Sequence, residues 1–367
     1  MGETMRVILF FIIFAISLPT KALNLKVTVI LPDDGQNTFW QLIRDVTLVA
    51  ADSLHIELEI INSAANRFAS KSIINALVER KVKPDYLIFF PFLGNTLTVF
   101  EQLDRANIKF VTLEQTFGSD VGNPQEKFKH WLGQINYDNK EAGKLLLNAL
   151  KKVHLSQYPN TYLYVTGIGG DFDSVSLNRQ WVLEQNMRGH GEKDTQVNQV
   201  FQMHWDPMRI QQNFSLMLEK YPRTNAYWSA SDNMALEILK LTQKHGLKNV
   251  LIGGFDWMPI VLEKIKAGEI TASAGGHFLM TGDALVKIVD HHNGTDRFLN
   301  EPLLNSYEII DGENIDRYQP FLTGQYWKQA DFSKYLWTGQ EQTTRPLNIE
   351  NLITDAQQQK KLKERTP

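Results

Sequence analysis

The residues in this chain that could do chemistry come in short polar clusters, and the clusters recur along its length. Pro32–Trp40 carries Asp33, Asp34, Asn37, Phe39 and Trp40. Glu114-Gln115 follows, then Gly167–Asp171 with Arg179 shortly after it. His204-Trp205-Asp206, Ser231-Asp232-Asn233, Phe255-Asp256-Trp257 and Gly275-Gly276-His277 complete the series. Carboxylates and amides bridge neighbouring hydroxyls, a guanidinium offers forked donors, and aromatic faces cover apolar C–H surface. Together these groups suit a sugar or another polyol.

Other chemistries lack their parts. Gly167-Ile168-Gly169-Gly170 is not followed by Lys-Ser/Thr at phosphate-loop spacing, so it reads as a tight turn. The histidines, His291-His292 among them, lack carboxylate or cysteine partners at ligand spacing, so neither a metal nor another cofactor is expected. Asp171-Phe172-Asp173 is too short for a calcium loop. The chain has no Gly-x-Ser-x-Gly elbow and no cysteine nucleophile. Glu114, Asp232 and Asp256 could supply the carboxylate pair of a carbohydrate-active enzyme, so that reading stays open as the third choice.

The elements between the clusters explain their spacing. Short apolar runs alternate with amphipathic ones from Lys26 onward. Strands are expected at Lys26–Leu31, Glu57–Ile61, Asp85–Phe90, Lys109–Leu113, Thr161–Thr166, Val197–Phe201, Ala226–Ser229, Val250–Gly253 and Thr271–Ala274. Helices with apolar residues at helical spacing lie between them, as at Phe39–Ser53 with Trp40, Ile43, Val46 and Ala50. Phe117–Lys129 interrupts the rhythm with Gly, Pro and charge, and the alternation then restarts. The expected fold is α/β: two doubly wound parallel-sheet lobes, with a ligand site beyond the carboxyl ends of the strands. Each polar cluster follows such a strand.

The order of these segments resembles the type I periplasmic binding proteins. The segments are Asn37-x-Phe39-Trp40 after the first strand, Asp138-Asn139 opening a helix, Ser231-Asp232-Asn233-Met234-Ala235-Leu236 and Gly254-Phe255-Asp256. The family includes ribose- and galactose-binding proteins and the effector domains of lactose-repressor-like regulators. Asp85–Phe89 and the start of the Trp40 helix are also similar to the autoinducer-2 receptors within it. The resemblance runs from about Lys26 to about Ile310 and implies a three-segment hinge. Its implied lobes are 25–136 with 278–305, and 137–277 with 306–339, followed by a polar tail at 340–367. That tail is read as a frayed helix or as unstructured.

Carried over position by position, the resemblance implies a ligand site made of Asn37, Phe39, Trp40, Glu114, Gln115, Asp138, Arg179, Trp205, Ser231, Asp232, Asp256 and His277. Glu114 stands where sugar binders often have Asp, and Gln115 where they often have Arg. The last hinge segment has Gly275-Gly276-His277 where ribose binders place Gln, which argues against ribose itself. Plainer roles stand beside these. Asp138, Asp206 and Asp232 also read as helix N-caps. Trp40 also fits a core position, Arg179 a surface charge, and His277 a satisfied hinge residue.

Arg6, the apolar run Val7–Leu18 and Pro19–Ala22 have the parts of a secretory signal peptide over residues 1–22. The chain has no cysteine, so export brings neither disulfides nor a lipid-modified N-terminus. A net charge of -3 over 367 residues gives no reason to expect nucleic acid as a partner. The combined expectation is a periplasmic monomer that captures a sugar or sugar-like small polar ligand and presents it to an ABC transporter. The alternative output is a sensory co-receptor that docks on a histidine kinase or other signalling protein.

Overall fold

The computed structural model describes residues 25–365, apart from 34, 36, 65, 93, 95, 116–123, 192, 299–303, 324–325 and 338–344. The segment expected to be a signal peptide lies outside the described residues. In chain order the strands are β1 (Lys26–Leu31), β2 (Glu57–Asn62), β3 (Tyr86–Phe89), β4 (Lys109–Leu113), β5 (Trp131–Tyr137), β6 (Leu163–Gly169), β7 (Thr195–Gln202), β8 (Ala226–Ser229), β9 (Leu251–Phe255), β10 (Ala272–Gly275), β11 (Leu304–Asn305) and β12 (Glu308–Asp311). They form two sheets, ordered β11-β5-β4-β3-β1-β2 and β12-β10-β9-β8-β6-β7. Every pairing is parallel except β10 with β12.

Central strands of sheets covered on both faces must be buried on both sides. All four residues of β3 and all five of β9 are buried. Trp131–Tyr137 has no place among the expected strands, because Gly133, Gln134 and Asn136 break its apolar run. It nonetheless pairs with β4 along its length and with β11 at its end. The chain crosses between the sheets after β5, between β10 and β11, and between β11 and β12. The helix Met280–His292 packs on the first sheet and on the helix Thr38–Ser53. There the Thr47 hydroxyl donates to Thr281 Oγ1 over 2.8 Å.

The helices that follow the strands start in one way. Asn37, Asn66, Asp138, Asp173, Asp206 and Ser231 each turn a side-chain oxygen onto a backbone N–H of the helix they open. Such a cap satisfies a donor that the helix itself leaves free.

The C-terminal region departs from expectation in two respects. Residues 306–339 do not all stay with the second lobe. The short turns Tyr326–Gln329 and Phe332–Tyr335 pack on the first-lobe helix Thr38–Ser53, because Trp327, Phe332 and Tyr335 are large, apolar and need cover. The tail is also more than a polar end. Ile349–Arg365 is helical, and Ile349, Leu352 and Ile353 are buried.

Candidate functional site

Arg179 organises the space between the carboxyl ends of the two sheets. It lies in the helix Ser174–Gln185, whose Asp173 cap fixes the first turn. Only 3% of the residue is exposed, which rules out the surface-charge role. Its Nε donates to Asn139 Oδ1 at 3.0 Å and Nη1 to the Ala230 carbonyl at 2.8 Å. Nη2 reaches the Tyr307 hydroxyl at 3.1 Å. The guanidinium lies 4.6 Å over the Phe255 ring, which favours a cation. Gly143 makes this close packing possible, since a Cβ there would meet the Arg179 carbonyl oxygen at 1.9 Å.

Two carboxylates and a histidine surround this cation. Asp256 Oδ1 is 3.6 Å from Arg179 Nη1 and 3.3 Å from His277 Nε2. Glu114 Oε1 is 3.9 Å from Arg179 Nη2 and from His277 Nε2. Burial pushes the Asp256 carboxyl up to about 7, against the pull of Arg179. Burial also raises Glu114, against His277 and Arg179. Burial and the Arg179 charge push His277 down to about 3, so its ring is neutral. Nε2 lies 3.3 Å from Arg179 Nη2, so in the neutral ring it accepts from the guanidinium and Nδ1 carries the proton. Glu114 Oε1 and His277 Nδ1 are buried without a hydrogen-bond partner. Buried polar atoms are normally satisfied, so these two are available to a guest.

Aromatic rings close the walls. The Phe39 ring is 4.7 Å from the His277 ring, and Trp40 packs at 5.3 Å on Phe39 and edge-on to Phe90. On the second lobe Trp205 lies flat against Gly170, where a Cβ would meet the indole at 2.2 Å. Its Nε1 donates to Asp173 Oδ2 at 3.1 Å. Glu114, Trp205 and Asp256 have φ values of 63°, 60° and 111°. Such backbone is unfavourable for residues with a Cβ and tends to collect at functional sites.

The remaining expected residues divide by role. Gln115 accepts from the Ser174 hydroxyl at 2.8 Å and so bridges the two lobes. Asn37 caps its helix through the Phe39 N–H. Asp138 caps through the Glu141 N–H, and its neighbour Asn139 is the residue that meets Arg179. Ser231 caps through the Met234 N–H. Asp232 is fully buried behind Asp256 and accepts from the Met258 N–H and the Ser273 hydroxyl. Asn139, Asp173, Phe255, Tyr137 and Tyr307 belong to the network and escape the sequence reading. Asn139 and Phe255 sit beside recognised residues. Tyr307 had no signal beyond its place in the last crossing. Among the described residues no group of His, Cys, Asp or Glu has the arrangement of a metal site.

Two parallel-sheet lobes, three crossings and a polar, aromatic-walled site at the strand ends define a bilobal binding protein of the type I periplasmic fold. The chain belongs to the periplasmic binding protein domain family, whose pattern it matches over residues 27–296. A periplasmic sugar-binding protein from Pseudomonas fluorescens superposes with a TM-score of 0.78 at 21% identity, covering 89% of this chain and 99% of that one. A solute-binding protein from Actinobacillus succinogenes with bound D-allose gives 0.69 at 16% identity, covering 80% and 100%. One from Bacillus halodurans with bound myo-inositol gives 0.65 at 17% identity, covering 81% and 98%. No curated protein matches the chain.

Proposed function

We propose that this protein captures a neutral sugar or sugar-like polyol between its lobes and presents it to a membrane transporter in the periplasm. Glu114, Arg179, Asp256 and His277 bind the hydroxyls, while Phe39, Trp40 and Trp205 cover the ring faces. The observation that carries this reading is the convergence, from both lobes, of a buried cation and two carboxyl groups with two buried polar atoms still unpartnered. Arg179 already pairs with Asp256 and Glu114, which leaves no unpaired cation for an anionic ligand. D-allose and myo-inositol, bound in two of the similar structures, are of the proposed class.

A thermal-shift screen of pentoses, hexoses and inositols against sugar acids tests it. A ligand of the proposed class raises the melting temperature with concentration, whereas uronates and sugar phosphates do not. Stabilisation by the acids alone overturns the reading.

A further inference from the structure

The region after Thr323 contacts both lobes at the hinge. It is tied first to the first lobe. The Phe332 N–H donates to Ser53 Oγ at 3.1 Å, and the Trp337 N–H donates to Asp290 Oδ1 at 3.0 Å. Buried Arg297 joins Asp290 to the Tyr335 carbonyl, at 2.7 and 3.0 Å. Tyr335 then holds the terminal helix, donating to Asp355 Oδ2 at 2.9 Å, and Arg345 pairs with the same carboxylate at 2.8 Å.

The same helix reaches the second lobe. Glu350 accepts from the Tyr318 hydroxyl at 2.7 Å and pairs with Arg317. Tyr318 lies in the helix Ile315–Thr323, and its ring packs 5.4 Å from that of Trp257, the residue after Asp256. Between these anchors Pro346–Ile349 lies over the hinge. Together with Tyr137, Gly276, Asn305 and Ser306 it encloses a cavity of about 100 Å³ that touches all three crossings.

We infer that the C-terminal segment is a strap that fastens the hinge in the closed arrangement and so sets the fraction of ligand-free protein that is closed. In the conformation described, Gln115–Ser174 and Glu114–Arg179 already join the lobes across the site, so the lobes are together. Contacts made to both lobes in this arrangement, and broken when one lobe turns against the other, favour it over the open form. The strap adds a fourth connection, as the chain returns from Thr323 in the second lobe to Tyr326 packed on the first. Gly276, at φ 103, is the kind of backbone that a hinge would otherwise use to turn freely.

The test uses ligand-free protein, so it does not depend on the proposed sugar. Glu350→Ala removes both contacts of the joint to the second lobe, Tyr318→Phe removes one of them, and both leave the buried Ile349, Leu352 and Ile353 in place. Both variants should show a larger radius of gyration by small-angle scattering. Both should also show at least tenfold faster hydrogen exchange at the Asp138 amide, which donates to Asn305 across the hinge at 2.8 Å. A chain ending at Arg345 should show the larger change. Wild-type radius and exchange in both point variants overturn the strap, whatever ligand is later found. A changed melting temperature with unchanged radius also overturns it and leaves the helix a purely stabilising element.

Discussion

The two halves of the site are built differently. The second lobe's half is braced before any ligand arrives. Arg179 makes hydrogen bonds to Asn139, Ala230 and Tyr307, Trp205 is held to Asp173, and Asp256 stands on a fixed Asp232. The first lobe's half is mainly a wall of rings, Phe39, Trp40 and Phe90, with Glu114 as its one charge facing Arg179. A braced half loses little entropy when it binds, so it is suited to meet the ligand first. The ring wall is suited to arrive second, since aromatic faces cover a ligand without needing hydrogen-bond alignment.

Breaking the braced half should therefore cost most. Arg179→Ala strands Asp256, Asn139 and Tyr307 in a buried space and should weaken binding by about 3–5 kcal/mol. Because the same contacts join helices of the second lobe, the melting temperature should fall as well. Calorimetry and a thermal scan with the sugar found in the screen give both numbers. Near-normal affinity would remove the arginine from the site.

Equivalent ring deletions test the asymmetry directly. Trp205→Ala should cost about 2 kcal/mol of binding, and Trp40→Ala about 1, the latter mainly as faster ligand release. The reverse ranking, measured by stopped-flow fluorescence, would make the first lobe the initial binding surface.

Protonation gives a sharper contrast within the braced half. Asp256 titrates near 7 when folded and near 3.9 when unfolded. Its raised value contributes stability that is full below about pH 4 and is lost as pH rises towards 7. His277 acts with the opposite sign. Its depressed value contributes stability above about pH 6.5 that is lost as pH falls towards 3. The two contributions oppose each other between about pH 4 and 6.5, so in denaturant titrations of ligand-free protein Asp256→Asn should turn the pH dependence towards rising stability with pH, and His277→Asn towards falling stability, relative to wild type. Identical slopes in both variants and the wild type would show that neither group titrates in this window.

The smallest effect is expected where the halves merely touch. Gln115→Ala removes one partly buried interlobe hydrogen bond and should cost about 0.5 kcal/mol of binding.

The α/β architecture was legible because buried parallel strands leave long apolar runs, and most expected strands lie within a few residues of the observed ones. Trp131–Tyr137 escaped because its polar residues are satisfied at the hinge rather than by an alternating solvent face. The site was harder to read, and the six Asx and Ser caps show why. A helix that follows a parallel strand needs a short polar side chain at the same strand end where a ligand would sit. One residue type therefore answers both demands, and Asn37, Asp138, Ser231 and Asp232 could not be sorted until their partners were seen. Arg179 and His277 could be told from the caps because no helix end requires them, whereas Asp256 also suited the turn before Pro259. The C-terminal helix was read only as frayed or unstructured, and its buried start was missed because its few apolar residues stand there, before a long charged end.

Trp257 lies flat on Gly275, where a Cβ would meet the indole at 2.3 Å, and its Nε1 donates to the Ser273 carbonyl at 2.9 Å. The loop carrying Asp256 and the last strand before the hinge are thus one mechanical piece. Transplanting that loop alone from a relative, to change the ligand recognised, would import an indole or its replacement onto a strand not shaped for it. The smallest exchangeable module runs from Phe255 through Gly276. A biosensor redesigned on this scaffold would keep its hinge motion only if ligand preference and pivot were moved together.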